Sequence, residues 1–200
     1  MAFWSEDFGQ KGTIIKDPKR QFRFKVEFQG VQDAQGGAIL WMAKSATKPS
    51  FTISTSEHKF LNHTFHYPGS VTWNDITVAL VDPVEPDMAA TISDIIEKSG
   101  YQPPTDANSL GSMSKAKSAG ALGKVIITQI DGDGKAVETW TLWNSFISDV
   151  KYGDLAYGTD DLTEISVTLK YDWAQVKTDV KGSTTDDKFN KTQYFSMADS

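Results

Sequence analysis

The run Tyr67-Pro68-Gly69-Ser70-Val71-Thr72-Trp73-Asn74-Asp75-Ile76-Thr77-Val78-Ala79-Leu80-Val81-Asp82 constrains the fold more than any other stretch of the chain. Pro68 fixes its own φ and Gly69 accepts φ > 0, so the pair predicts a type II turn. Strand chemistry follows it. Val71 and Trp73 are apolar at odd positions, whereas Ile76, Val78 and Leu80 are apolar at even ones. The inward face therefore slips by one residue near Asn74-Asp75, which predicts a β-bulge or a sharp bend there. A chain built round such a segment must be largely β.

The flanking sequence extends that pattern. Phe22, Phe24, Val26 and Phe28 alternate with Arg23, Lys25, Glu27 and Gln29, as a half-buried strand requires. The apolar run 38–43 reads as a strand buried on both faces. Lys48-Pro49-Ser50 breaks the chain and Phe51 to Thr55 resumes it as a strand. Its continuation over residues 56–66 is polar and weakly patterned, which suits a long hairpin reaching to another subunit better than a core strand. A helix is expected over about residues 83–99, with Asp82 as cap and Pro83 or Pro86 in the first turn. There Met88, Ile92, Ile95, Ile96 and Ser99 fall at helical spacing, and Gly100 supplies the stop. Residues 101–123 read as a long exposed connection rich in Gly, Ser, Ala and Lys. Strands over residues 124–130 and 135–143 flank Asp131-Gly132-Asp133-Gly134, a strong hairpin signal. A closing strand places Ile165, Val167, Leu169, Tyr171 and Trp173 on one face. Residues 1–19, with Phe3, Trp4 and Phe8, read as an arm ordered only on a partner, residues 20–176 as one β domain, and residues 177–200 as a polar extension.

Three of these segments, in this order, resemble the tail tube proteins of contractile-tailed bacteriophages and related contractile injection systems. They are the strand from Gln21 to Phe28, the run from Gly69 to Asp82 followed by a helix, and the strand from Leu162 to Trp173 with its acidic and aromatic end. The resemblance spans residues 21–173; the extension beyond Val176 departs from the shorter members. It implies a mostly antiparallel β-sandwich or open barrel with one flanking helix. Six such subunits would close into a ring, and rings would stack into a hollow tube that conducts DNA, or effectors in an injection device, when a sheath contracts. Sheath, tape measure and baseplate or initiator proteins follow as partners, and the virion tail, assembled in host cytoplasm, as location. It also implies that a loop formed by Glu57, His58, Lys59, Phe60, Leu61 and Asn62 contacts the next ring. DNA would transit without specific binding, and no catalytic residue, cofactor, metal or membrane anchor is implied.

Composition agrees with that reading and narrows the competitors. At 200 residues the chain suffices for one sizeable core, since a domain of this size buries roughly 70% of its unfolded surface. It contains no cysteine, which removes disulfides and thiolate chemistry. The start has neither a basic nor an apolar signal region, and no apolar run of membrane-spanning length occurs, so a soluble protein is expected. A net charge of -6 disfavours a nucleic-acid-gripping surface, and an acidic majority on a lumen wall is expected, because each phosphate contact adds grip. Asp131-Gly132-Asp133-Gly134 is no EF-hand, with Ala136 at the glycine position and Leu142 at the bidentate glutamate position. His58 and His66 are expected to share a strand face that His63 does not, and a metal site is not expected. Asp160-Asp161 and Asp186-Asp187 read as surface neighbours, and no nucleophile or phosphate-loop motif is present. Trp73, Trp140 and Trp173 lie on apolar strand faces as core anchors, leaving Trp4, Trp41 and Trp143 for interfaces. From another functional class, a carbohydrate-binding β-sandwich module would remain monomeric and use exposed tryptophans.

Overall fold

The structure, a computed structural model, describes residues 18–30, 43–85, 87–104, 111–158, 160–178 and 193–196. The expected N-terminal arm and most of the expected strand 38–43 lie outside them. In chain order come β1 (Phe24–Phe28), β2 (Ala43–Ala46), β3 (Phe51–Phe60), β4 (His63–Trp73), β5 (Ile76–Val81), α1 (Met88–Lys98) and α2 (Lys115–Leu122). Then follow β6 (Val125–Ile130), β7 (Ala136–Trp143), β8 (Phe146–Lys151), β9 (Glu164–Lys170), β10 (Trp173–Thr178) and β11 (Gln193–Tyr194).

Two sheets enclose the core: a five-stranded sheet ordered β1-β6-β7-β10-β11 and a four-stranded sheet ordered β2-β5-β9-β8, with every described pairing antiparallel. Alternation selects the inward residues. Val26 and Phe28, Val125 and Ile127, Leu142, and Ala174 line the first sheet, while Ile76, Val78 and Leu80 oppose them with Ile165, Val167 and Leu169 on the second. Among the described residues neither sheet closes on itself, and β1, β2 and β8 are edge strands.

The phase slip at Asn74-Asp75 is a change of sheet. β4 belongs to the two-stranded β3–β4 ribbon and β5 to the four-stranded sheet. Asn74 fixes the corner, its backbone N–H donating to the Ser50 carbonyl at 2.9 Å and its side-chain amide to Ser50 Oγ at 3.0 Å. Pro68-Gly69, expected to be a turn, lies instead inside β4. The register there shifts between Ile53 and Thr55, so that Gly69 and Ser70 face Ser54. This is a bulge, and a Cβ on Gly69 would meet the Ser54 hydroxyl and carbonyl. The true turn is Leu61-Asn62, with Leu61 at φ 52°.

The expected helix starts later than residue 83. Asp87 is the N-cap, accepting from the Ala90 N–H at 3.0 Å, and Asp82 instead accepts from the Met88 N–H at 3.2 Å. Gly100, at φ 100°, ends it as its position predicted. The connection expected over residues 101–123 contains a second helix, α2, which sequence periodicity missed because its buried stripe is only Ser118 and Leu122. Ser114 caps it by accepting from the Lys117 N–H at 3.3 Å. Its C-terminal end presses on the chain after β1, where Gly30 N–H donates to the Leu122 carbonyl at 3.0 Å. No side chain fits there, since a Cβ at Gly30 would lie 2.5 Å from the Leu122 carbonyl carbon. No helix among the described residues is long and apolar enough to cross a membrane.

The closing segment is also two strands, not one face. β9 belongs to the four-stranded sheet and β10 to the five-stranded one, and Ala174 and Val176 point inward on β10. Trp173 therefore sits on the opposite side of its strand from the core. The C-terminal extension returns to the body, because β11 pairs with β10 through Tyr194 opposite Val176.

Candidate assembly surface

The β3–β4 ribbon is exposed at every β3 position and at nine of eleven β4 positions, only Thr64 and Trp73 being half-buried. A two-stranded ribbon has little stability alone, so its anchoring decides its geometry. At the root, Trp73 packs edge-on to Phe51 at 5.2 Å and to Phe195 at 5.7 Å, and tilts against Tyr171 at 5.9 Å. Burial pushes the pKa of the Tyr171 hydroxyl up to about 12. Phe195 lies in the extension that sequence patterning left as a polar tail. It completes the clamp by also meeting Phe51 at 6.0 Å.

The bulge at Gly69 exchanges the ribbon's apolar face. Near the root, Phe51 pairs with Trp73 and Ile53 with Val71 on one side. Beyond the bulge the aromatic side chains lie on the other side, with Ser56 opposite Tyr67, His58 opposite Phe65, and Phe60 opposite His63. Phe60 is 62% exposed and Leu61, at the tip, 93%. The remaining face carries Glu57 opposite His66, 3.6 Å apart, and Lys59 opposite Thr64. The histidine expectation is thereby reversed: the intervening turn puts His58 and His63 together and His66 on the other face. Among the described residues no group of three or more acidic or histidine side chains is placed to hold a metal. Asp131 is engaged in its own turn, Oδ1 accepting from the N–H groups of Asp133 at 2.9 Å and Lys135 at 2.8 Å.

Of the tryptophans, Trp73 and Trp140 are half-buried against the core. Trp173 is stacked on Trp143 on the outer face of the five-stranded sheet, rings 5.9 Å apart and 10° from parallel, with Lys124 Nζ 4.3 Å above the Trp143 ring. Trp4 and Trp41 lie outside the described residues. Asp186-Asp187 does too. Lysines slightly outnumber carboxylates on the outward strand faces. The four-stranded sheet shows Lys44, Lys151 and Lys170 with Asp149 and Glu164, and the five-stranded one Lys25 and Lys177 with Glu27. Neither face carries an acidic majority. A second exposed apolar patch lies in the β8–β9 loop, where Leu155, Tyr157 and Leu162 stand beside Asp154 and Asp161 around a concavity of about 520 Å³.

One charged site was missed from sequence. Glu138 is 9% exposed, on the inward parity of β7 with Trp140 and Leu142, and that shared parity was the available signal. Lys19 and Lys48 both donate to its carboxylate, Lys48 at 2.7 Å, and the Trp140 indole donates as well. Lys48 also donates to Gln129 Oε1 at 2.7 Å, and Gln129 donates to the Arg20 carbonyl at 3.0 Å. The network ties the chain before β1 and the β2–β3 link to one sheet. Burial is the largest single influence on Glu138 and raises its pKa. The three donors together outweigh it and hold the carboxyl at about 2, below its ordinary 4.5. A depressed folded pKa gives stability that is fully present above the unfolded value and lost as pH falls through the folded one. Between pH 5 and pH 2 the native chain should therefore lose about 1–2 kcal/mol more than Glu138→Gln does, after allowance for solvent screening of the half-exposed lysines. Urea midpoints across that range check this; parallel curves would contradict it.

No protein-family model matches the chain, and no curated protein matches it. Its fold is nevertheless that of tube-type proteins of contractile systems. A chain in the cryo-EM structure of the anti-feeding prophage cap, a tube terminating cap, superposes with a TM-score of 0.61 at 17% identity, covering 89% of this chain and 99% of that one. A chain in the sheath/tube terminator of an extracellular contractile injection system, PVC, in its extended state gives 0.60 at 17% identity over 82% and 100%. One in the PVC sheath-tube complex gives 0.59 at 16% identity over 82% and 94%.

Proposed function

We propose that the chain is a non-enzymatic structural subunit of the tube of a contractile tail. Six copies form a ring, and rings stack into a hollow tube that conducts DNA when a sheath contracts, with the virion tail as its location. The observation that carries this is the β3–β4 ribbon, a long aromatic projection that the described residues leave exposed, on a fold shared with chains of tube-containing assemblies. A neighbouring subunit is its cover in this reading. Ring closure supplies partners for the free edges β2 and β8, and head-to-tail stacking extends contacts that do not close on themselves into a filament. The tip residues Glu57, His58, Lys59, Phe60, Leu61 and Asn62 reach the next ring, while sheath, tape measure and baseplate or initiator proteins are the remaining partners. A second reading, the inner tube of an injection device delivering protein effectors, is favoured by the fold's likeness to chains in extracellular injection systems.

Negative-stain electron microscopy of the purified protein across a concentration series tests the assembly. Stacked rings or hollow tubes are the expected result. A particle that stays monomeric at every concentration and binds glycans through the Trp143–Trp173 stack would replace it with a carbohydrate-binding module.

A further inference from the structure

The two sheets part between the edges β1 and β2, leaving a cleft of about 640 Å³. Its described lining combines Phe22, Phe24 and Trp140 with Lys19, Lys44 and Lys48 and contains no carboxylate of its own, the nearest being Glu138, paired with Lys19 and Lys48, and Glu164, paired with Lys44. Glu138 lies behind two of these lysines and is already saturated by three donors. Phe22, expected in the first strand, lies instead in the turn before β1 and is 74% exposed. An exposed aromatic beside three lysines, which can each accept a further carboxylate, points to an aromatic, acidic peptide as occupant.

The chain carries one beside the cleft. Residues 1–10 contain Phe3, Trp4 and Phe8 with Glu6 and Asp7, and no Lys or Arg. They precede Lys19, itself part of the lining. The link from Phe8 to Lys19 spans far more than the cleft when extended, at about 3.3 Å per residue, and Gly9 and Gly12 give it the freedom to reverse. A short tether also supplies an effective concentration on the order of millimolar. Of the other segments, residues 31–42 carry a single carboxylate, Asp33, and residues 179–192 join β10 to β11, on the far side of the sheet from β1. We infer that residues 3–8 of the same chain dock in the cleft between β1 and β2, their aromatic rings against Phe22, Phe24 and Trp140 and their carboxylates on the lysine rim. This is independent of the tube reading, because it holds for an isolated subunit.

The absence of native cysteine makes disulfide trapping a clean test on the full chain. With Ser5→Cys and Ser45→Cys together, mild oxidation of dilute protein should give an intramolecular disulfide at least tenfold faster than Ser5→Cys paired with Ser93→Cys on α1. Adding Glu6→Lys and Asp7→Lys to the first pair should remove that advantage, with circular dichroism unchanged. Equal rates for the two pairs would overturn the inference. So would a covalent dimer as the product, which would assign the cleft to a neighbour's arm, or insensitivity to the charge reversals.

Discussion

Excising residues 57–66 and joining Ser56 to Tyr67 through Asn-Gly is expected to abolish tube formation while leaving a folded subunit. Ser56 and Tyr67 are cross-strand partners, so the new two-residue turn closes the ribbon in its existing register. Of the residues removed only Thr64 is even half-buried, and global stability should change by no more than about 0.5 kcal/mol, as for surface changes generally. The loss to assembly is larger. Phe60 and Phe65, 62% and 44% exposed, would together contribute about 1.5–3 kcal/mol if their remaining surface were buried against the next ring. Losing both raises the critical concentration by about ten- to a hundredfold at 1.4 kcal/mol per decade. Pelleting assays alongside a thermal melt read the two effects separately. Tubes forming at the native concentration would remove the ribbon from the assembly contact.

Much of the body was legible because it obeys one period at a time. Val26 and Phe28, Ile76 to Leu80, and Ile165 to Leu169 alternate strictly, and each is buried where alternation places it. The Asp131-Gly132-Asp133-Gly134 hairpin was equally plain, since turn chemistry is local. The readings that changed all involve a second chain segment. Pro68-Gly69 has the chemistry of a turn, and only its pairing with Ser54 shows it to be a bulge. Trp173 continues the parity of Ile165 to Tyr171, but the chain crosses between sheets at Tyr171-Asp172 and the parity is reset. α2 buries too narrow a stripe for a periodicity signal, and is held by its cap and by backbone contact with Gly30.

The candidate surface was partly legible for the same reason. A polar, weakly patterned stretch between two strand-like flanks identified the ribbon, because a core strand cannot tolerate such a pattern. Which side chains share a face was not legible. That follows from a turn at Leu61 and a bulge at Gly69, and each inverts the parity a straight strand would have. Glu138 was hidden by a bias of the opposite kind: a glutamate at an inward position reads as an outward one unless its donors are known, and Lys19 and Lys48 are remote from it in sequence.

Trp73 is where fold and assembly meet, and Trp73→Ala should separate them. The ring is the shared member of the cluster with Phe51, Tyr171 and Phe195, and it sits at the residue where β4 ends before the chain changes sheet. Truncation should cost about 3 kcal/mol, the lower end for a large aromatic because the side chain is only half-buried. Leu142→Ala is the matched control. Leu142 is fully buried on β7, away from the ribbon, and should cost a similar 2–5 kcal/mol. If the cluster merely adds stability, the two variants should assemble alike under conditions where both are folded. If it fixes the angle at which the ribbon leaves the body, Trp73→Ala should need at least tenfold more protein to form tubes than Leu142→Ala does. That difference corresponds to the loss of one or two aromatic pairs at about 0.5–1.5 kcal/mol each. Trp73→Phe, which keeps an edge for Phe51 and Phe195, should recover most of it. Equal critical concentrations for the two alanine variants would show that the ribbon's direction is set elsewhere, with the Asn74–Ser50 corner as the remaining constraint.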